Sequence, residues 1–198
     1  MNHIILPAVI LALQTAVIAA TPTVHAVVDL AHEFSFYADG RFARQYLADQ
    51  KAVTSWNALP RFDLSNANLL VLLDCAEPLA YTPEDRAAIR AFLGAGGGVA
   101  VFVAAARGPQ HDLAASLGAR FVADARKPLK VAADPGTAAV EGGARLRPEL
   151  EAPAAWTVHV ADADGRPVVA SRAEGKGRVL VAPRSLAGSR PDAADPIN

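Results

Sequence analysis

Polar residues with chemistry to offer stand where apolar runs stop. Asp29, His32 and Glu33 follow the run Val24-His25-Ala26-Val27-Val28. A histidine beside two carboxylates could bind a metal weakly or act as an acid–base pair. The plainer role weighs more: Asp29 caps a loop amide, and His32 hydrogen-bonds to it and orders the loop. Asp74, Cys75 and Glu77 follow Leu69-Leu70-Val71-Leu72-Leu73. A thiol there sits where a nucleophile could, but carboxylate neighbours disfavour a thiolate, and lone cysteines are ordinarily small buried hydrophobes. Arg107 and Arg184 each come soon after an apolar run, and a guanidinium at such a strand end suits a carboxylate or a sugar ring. His111-Asp112 reads as first-turn helix capping rather than a dyad. Gly94-Ala95-Gly96-Gly97-Gly98 leads into an apolar run. A phosphate cradle needs its glycines to lead into a helix, so this stretch is a helix-to-strand turn.

These residues need a scaffold, and the hydrophobic pattern supplies one. Short β-branched runs alternate with helical periodicity, which predicts βαβ units in an α/β chain with a mostly parallel sheet. Strands are expected over residues 24–30, 51–56, 69–73 and 99–103, the third buried on both faces. A helix over 41–50 places Phe42, Tyr46 and Leu47 on one face. Another begins at Thr82-Pro83-Glu84-Asp85, with an N-cap threonine, a proline at the first position and acids in the first turn. Its apolar residues are Ile89, Phe92 and Leu93, and the glycine run ends it. A short helix is expected over 111–117. Beyond residue 119 come short strands at 121–122, 129–131, 156–160 and 168–170. A late antiparallel hairpin joins 167–171 to 178–181 through Gly175-Lys176-Gly177. Residues 134–153 have low periodicity and read as a loop.

Composition removes several classes. With 198 residues the chain is long enough for one sizeable core. Charged residues are 20% and the net charge is −1, so nothing favours a nucleic-acid partner. A single cysteine allows no intramolecular disulfide, and no Cys/His cluster has zinc-ligand spacing. No metal and no cofactor is expected. Residues 4–20 are apolar, uncharged and end in small residues, as a secretory signal does. The expected organisation is a signal peptide or N-terminal anchor over 1–20, an α/β domain over 21–190, and over 191–198 the start of a linker or a truncated continuation. Export to the periplasm or the extracellular space follows, with membrane contact only through an uncleaved N-terminal segment. No cysteine stands directly after the apolar run, so a lipoprotein anchor is not expected.

The strand ending in Asp29-x-x-His32, the strand LLVLLD, the helix TPEDRAAIRAFLGAGGG with strand VAVFV, and the late GKGRVLV together resemble the class I glutamine amidotransferase-like superfamily, and its ThuA-like or other degenerate branches most. The resemblance covers roughly residues 24 to 185. It implies a three-layer, flavodoxin-like doubly wound sheet with any site at the carboxyl ends of the strands. Active members carry a nucleophilic cysteine after the strand matching residues 99–103, in a glycine-flanked elbow, and a histidine base after a late strand. This chain has Ala104-Ala105-Ala106-Arg107-Gly108 at the first place and Pro183-Arg184-Ser185 at the second, while His159 is followed by Val160-Ala161. A nucleophile and its base act as a unit, so losing both argues against amide hydrolysis.

The function expected is therefore a secreted, catalytically degenerate module, ligand-binding or accessory to a larger exported protein, with no catalytic residue. Its ligand would touch Asp29, His32, Asp74, Glu77, Arg107 and Arg184. Mixed donors and acceptors suit a carbohydrate or another small polar ligand, and a downstream domain of the same polypeptide is the expected partner. Two alternatives stay open: a hydrolase or isomerase with a rearranged site near Asp29, His32, Asp74 and Cys75, or the leading part of a secreted metallopeptidase or glycan-active enzyme.

Overall fold

Apolar runs buried on both faces build the centre of the chain. The computed structural model describes residues 24–29, 53–57, 64–73, 80–124, 129–131 and 146–184. Its elements in chain order are β1 (His25–Asp29), β2 (Val53–Asn57), β3 (Leu69–Leu73), α1 (Pro83–Ala95), β4 (Gly98–Val103), α2 (Pro109–Ser116), β5 (Ala119–Ala123), β6 (Leu129–Val131), β7 (Leu146–Leu150), β8 (Thr157–Asp162), β9 (Pro167–Glu174) and β10 (Gly177–Pro183). Eight strands form one sheet in the order β2-β1-β3-β4-β10-β9-β8-β6. The first five of that order pair in parallel, and β10, β9, β8 and β6 pair antiparallel. The result is a mixed α/β fold with a largely parallel sheet.

β4 shows why. Val99, Ala100, Val101, Phe102 and Val103 are all buried, so both sheet faces are covered, as parallel strands require. Each of the larger side chains contributes about 1.5–3 kcal/mol of burial. Val27, Leu70, Leu72, Val99, Val101 and Val181 join one core cluster with Ile89, Phe92 and Leu93 of α1 and Leu113 of α2. Val28, Ala100, Phe102 and Leu180, on the opposite face, are buried too.

Helix α1 starts as its sequence dictates. Thr82 Oγ1 accepts from the Asp85 amide at 3.1 Å, and the Thr82 amide donates to Asp85 Oδ2 at 2.9 Å, a reciprocal capping box. It stops at Gly96, whose φ of 108° lies in the left-handed region, and whose amide donates to the Leu93 carbonyl at 3.1 Å. Gly97 then lies directly beneath the Phe92 ring, where a Cβ would collide.

The expected late hairpin is present as β9 and β10, and β8 and β6 widen it into four antiparallel-paired strands. The loop expected over 134–153 contains β7, which pairs with β5 as a separate two-stranded sheet. Phe121 and Leu146 anchor that ribbon in the main core. Ion pairs hold its far end: Arg147 to Asp124 at 2.8 Å, Arg166 to Asp124 at 3.0 Å and Arg166 to Asp162 at 2.8 Å. Helix α2 begins at Pro109, two residues ahead of expectation. The helix expected over 41–50 and the segment 1–20 lie outside the described residues. Among the described residues no helix is long and apolar enough to cross a membrane.

Candidate functional site

In the parallel part of the sheet the chain runs from β1 outward to β2, then returns to the other side of β1 with β3 and continues through β4. The direction of winding therefore reverses between β1 and β3. Ligands of open α/β sheets favour the crevice outside the carboxyl ends at such a reversal, and β1 ends there on Asp29.

Asp29 is only 3% exposed. It has the strand parity of Val27, so its carboxylate rises on the face that α1 and α2 cover. There Tyr81 Oη donates to Asp29 Oδ2 at 3.2 Å. The same phenol oxygen accepts from Gln110 Nε2 at 3.4 Å. Tyr81 is 4% exposed and Gln110 is fully buried. Tyr81 immediately precedes the N-cap of α1, and Gln110 is the second residue of α2. One buried chain of polar groups thus ties the end of β1 to the starts of both helices. Asp29 thus accepts a hydrogen bond inside the fold, in addition to standing at the strand end where the sequence put it.

Arg107 is exposed in the link between β4 and α2, and Arg184 is half-buried just after β10. Register places them on neighbouring strand ends, since Pro183 pairs with Val103. His32, Asp74 and Glu77, with Cys75 and Glu33, lie outside the described residues. His111 Nδ1 lies 3.1 Å from Asp112 Oδ1 on the first turn of α2. Gly108, the N-cap of α2, has φ 104° and offers no side-chain cap.

Tyr81 and Gln110 are the residues that sequence reasoning missed. A tyrosine just before a capping box and a glutamine just after a helix-starting proline are ordinary by type; only the fold brings their polar ends together.

A second histidine contact lies on the antiparallel side. His159 Nε2 is 2.8 Å from Ser171 Oγ, at a register shift of β8 against β9 between Val158 and Val160. Burial, followed by the charge of Arg178, lowers the His159 pKa. The distance suits a hydrogen bond, and Ser171 is fully buried, so the contact braces β8 against β9 from inside the fold.

Asp162 is also buried. Burial alone would raise its pKa, yet the backbone and guanidinium donors of Arg166 and the Asp164 amide outweigh it and hold the pKa below the ordinary value. Arg166 thus supplies the positive charge of the Asp162-Ala163-Asp164-Gly165 turn. Among the described residues no group of three or more His, Cys, Asp or Glu is arranged to hold a metal. At the opposite, amino edge of the sheet an open groove of about 580 Å³ is lined by Leu64, Ala67, Asn68, Ala91, Phe92 and Gly97.

No family model and no curated protein matches the chain by sequence. By structure it is similar to the exo-beta-1,4-mannosidase Op5Man5 from Opitutaceae bacterium strain TAV5, with TM-score 0.58 and 17% identity over 84% of this chain and 32% of that one. It is also similar to the cytoplasmic protein STM1381 from Salmonella typhimurium LT2, with TM-score 0.58 and 11% identity over 81% of this chain and 87% of that one. The N-terminal domain of mmIFT52 aligns with TM-score 0.54 and 11% identity over 81% and 86% of the two chains. What these proteins share with this chain is the fold. The chain spans about a third of the mannosidase, 32%, and most of the other two.

Proposed function

We propose that the chain is a secreted, non-catalytic member of the class I glutamine amidotransferase-like superfamily, of its ThuA-like or another degenerate branch, serving as a ligand-binding or accessory module of a larger exported protein. The observation that carries the proposal is the link between β4 and α2. Where active members hold a nucleophilic cysteine on a tight elbow, β4 ends at Val103 and α2 begins at Pro109. The link is Ala104-Ala105-Ala106-Arg107-Gly108, with neither thiol nor hydroxyl side chain. Arg184 and Ser185 follow β10 where the base histidine would stand. The strand order β2-β1-β3-β4-β10 supports a flavodoxin-like, doubly wound layout with β10 as the fifth parallel strand.

An accessory role is supported by the occurrence of a similar fold as about a third, 32%, of a mannosidase, and in a beta-galactosidase from Bacillus circulans sp. alkalophilus with TM-score 0.55. Carbohydrate is the ligand class this reading favours, with the site over the carboxyl edge beside Asp29, Arg107 and Arg184; His32, Asp74 and Glu77 are its further expected contacts by sequence alone. Export rests on the apolar run over residues 4–20.

The test is ammonia release from glutamine by the full chain, run beside saturation-transfer NMR with β-1,4-linked manno-oligosaccharides and β-galactosides. No glutaminase activity and a sugar signal are expected. Glutaminase activity abolished by Cys75→Ser would overturn the non-catalytic assignment, and the absence of any sugar signal would overturn the ligand class.

A further inference from the structure

We infer that Tyr81 is a positioning residue for the carboxyl-edge site: its hydroxyl, set between the Asp29 carboxylate and the Gln110 amide, fixes the starts of α1 and α2 relative to the end of β1. This rests on the ligand-binding role proposed above and names the side chain that shapes the floor of that site. Three observations converge. The hydroxyl donates to Asp29 at 3.2 Å and accepts from Gln110 at 3.4 Å. All three residues are at least nine-tenths buried, so bulk water competes little for these bonds. Two of the segments they join lie at the reversal in strand order, the last residue of β1 and the residue before the N-cap of α1, which follows β3; the third is the first turn of the helix that follows the next strand, β4.

Positions along this edge depend on the tie. The N-cap of α2 is a glycine without a capping side chain, so the helix start lacks the local hydrogen bond that Thr82 gives α1. Gln110, through Tyr81, supplies a tertiary anchor in its place. Arg107 lies three residues before Gln110, in the link whose downstream end this anchor holds. A binding surface is only as well ordered as the elements that carry it.

Tyr81→Phe removes the hydroxyl and keeps the ring in the core. Its comparison is Ile89→Val, a conservative loss in the same helix's buried face. Two measurements on the full chain separate the inference from the function it rests on. Amide hydrogen exchange needs no ligand: Tyr81→Phe is expected to speed the Arg86 and Asp112 amides about tenfold, the scale of one buried hydrogen bond, while Gly97 and Gly98 at the amino edge exchange as in the parent. Affinity for a β-1,4-linked manno-oligosaccharide is expected to fall about tenfold in Tyr81→Phe and to stay within about twofold in Ile89→Val. Uniform acceleration of exchange across the domain, or no change at Arg86 and Asp112, overturns the positioning role whether or not the sugar binds. Parent protein that binds no sugar, with the exchange pattern as expected, overturns the ligand assignment and leaves the tie standing.

Discussion

Two glycines on either side of one contact should respond to alanine with opposite signs. Gly177 begins β10 against the end of α1; a Cβ there would strike the Gly97 carbonyl oxygen and the Leu93 backbone. Neither is a side chain that could swing aside, so relief requires the α1 terminus and β10 to separate. These elements also pair through the Arg178 amide donating to the Gly97 carbonyl at 3.3 Å. Overpacking that moves backbone costs about 2 kcal/mol or more, and in a chain of this size that lowers the melting temperature by roughly 4–8 °C. Gly94, by contrast, lies inside α1, and a Cβ there meets nothing within 4 Å. Gly94→Ala should therefore gain about 0.5–1 kcal/mol from the reduced entropy of the unfolded chain and the better helix propensity. Urea unfolding followed by circular dichroism reads both as shifts of the midpoint at constant slope. A neutral Gly177→Ala, or a destabilised Gly94→Ala, would refute the packing of β10 on the helix end.

Acid should weaken the fold in two separable windows. The His159 pKa is lowered from 6.5, by burial first and Arg178 second, so the unfolded chain takes up a proton before the folded one. Stability is full above 6.5 and declines as pH falls from there toward the folded value, and His159→Gln should flatten that limb of a melting-temperature profile. Asp162, also shifted down, from 3.8, contributes stability that is present above 3.8 and is lost as pH falls through its folded value; Asp162→Asn should remove this second limb. Gly118→Ala should cost about 1–2 kcal/mol by calorimetry, because Gly118 holds φ 82° and its Cβ would lie 2.7 Å from the Arg172 guanidinium. Arg172 stacks over Trp156 at 5.1 Å. Replacing Trp156 with Leu should lose about 0.5–1 kcal/mol beyond the burial change, measured by a double-mutant cycle with Arg172→Met.

The central elements were legible because local signals and burial agree in them. Leu69–Leu73 is apolar throughout, and Thr82-Pro83-Glu84-Asp85 carries its own start signal, so β3 and α1 fall where the pattern puts them. Strand β7 was not legible. Leu146-Arg147-Pro148-Glu149-Leu150 has two charges and a proline, tolerable only on an edge, and what makes it a strand is pairing with β5 and the contacts of Leu146. The candidate site divides in the same way. Asp29 was visible as the polar end of an apolar strand, but its partner lies 52 residues away, and no local pattern links a tyrosine before a helix to a carboxylate at that distance. Arg107 and Arg184 were placed at strand ends by counting from apolar runs, and the β4–β10 register agrees.

Where a sugar binds decides between the two edges of the sheet. Backbone chemical shifts of the isotope-labelled full chain, followed during titration with a β-1,4-linked manno-oligosaccharide, locate the contact. Perturbations are expected at the carboxyl edge, over residues 104–111 and at Arg184, with Tyr81 and Gln110 responding through the buried tie. Perturbations confined to the amino-edge groove around Ala67, Ala91 and Gly97, or to the Gly175-Lys176 turn, would contradict a site at the carboxyl edge.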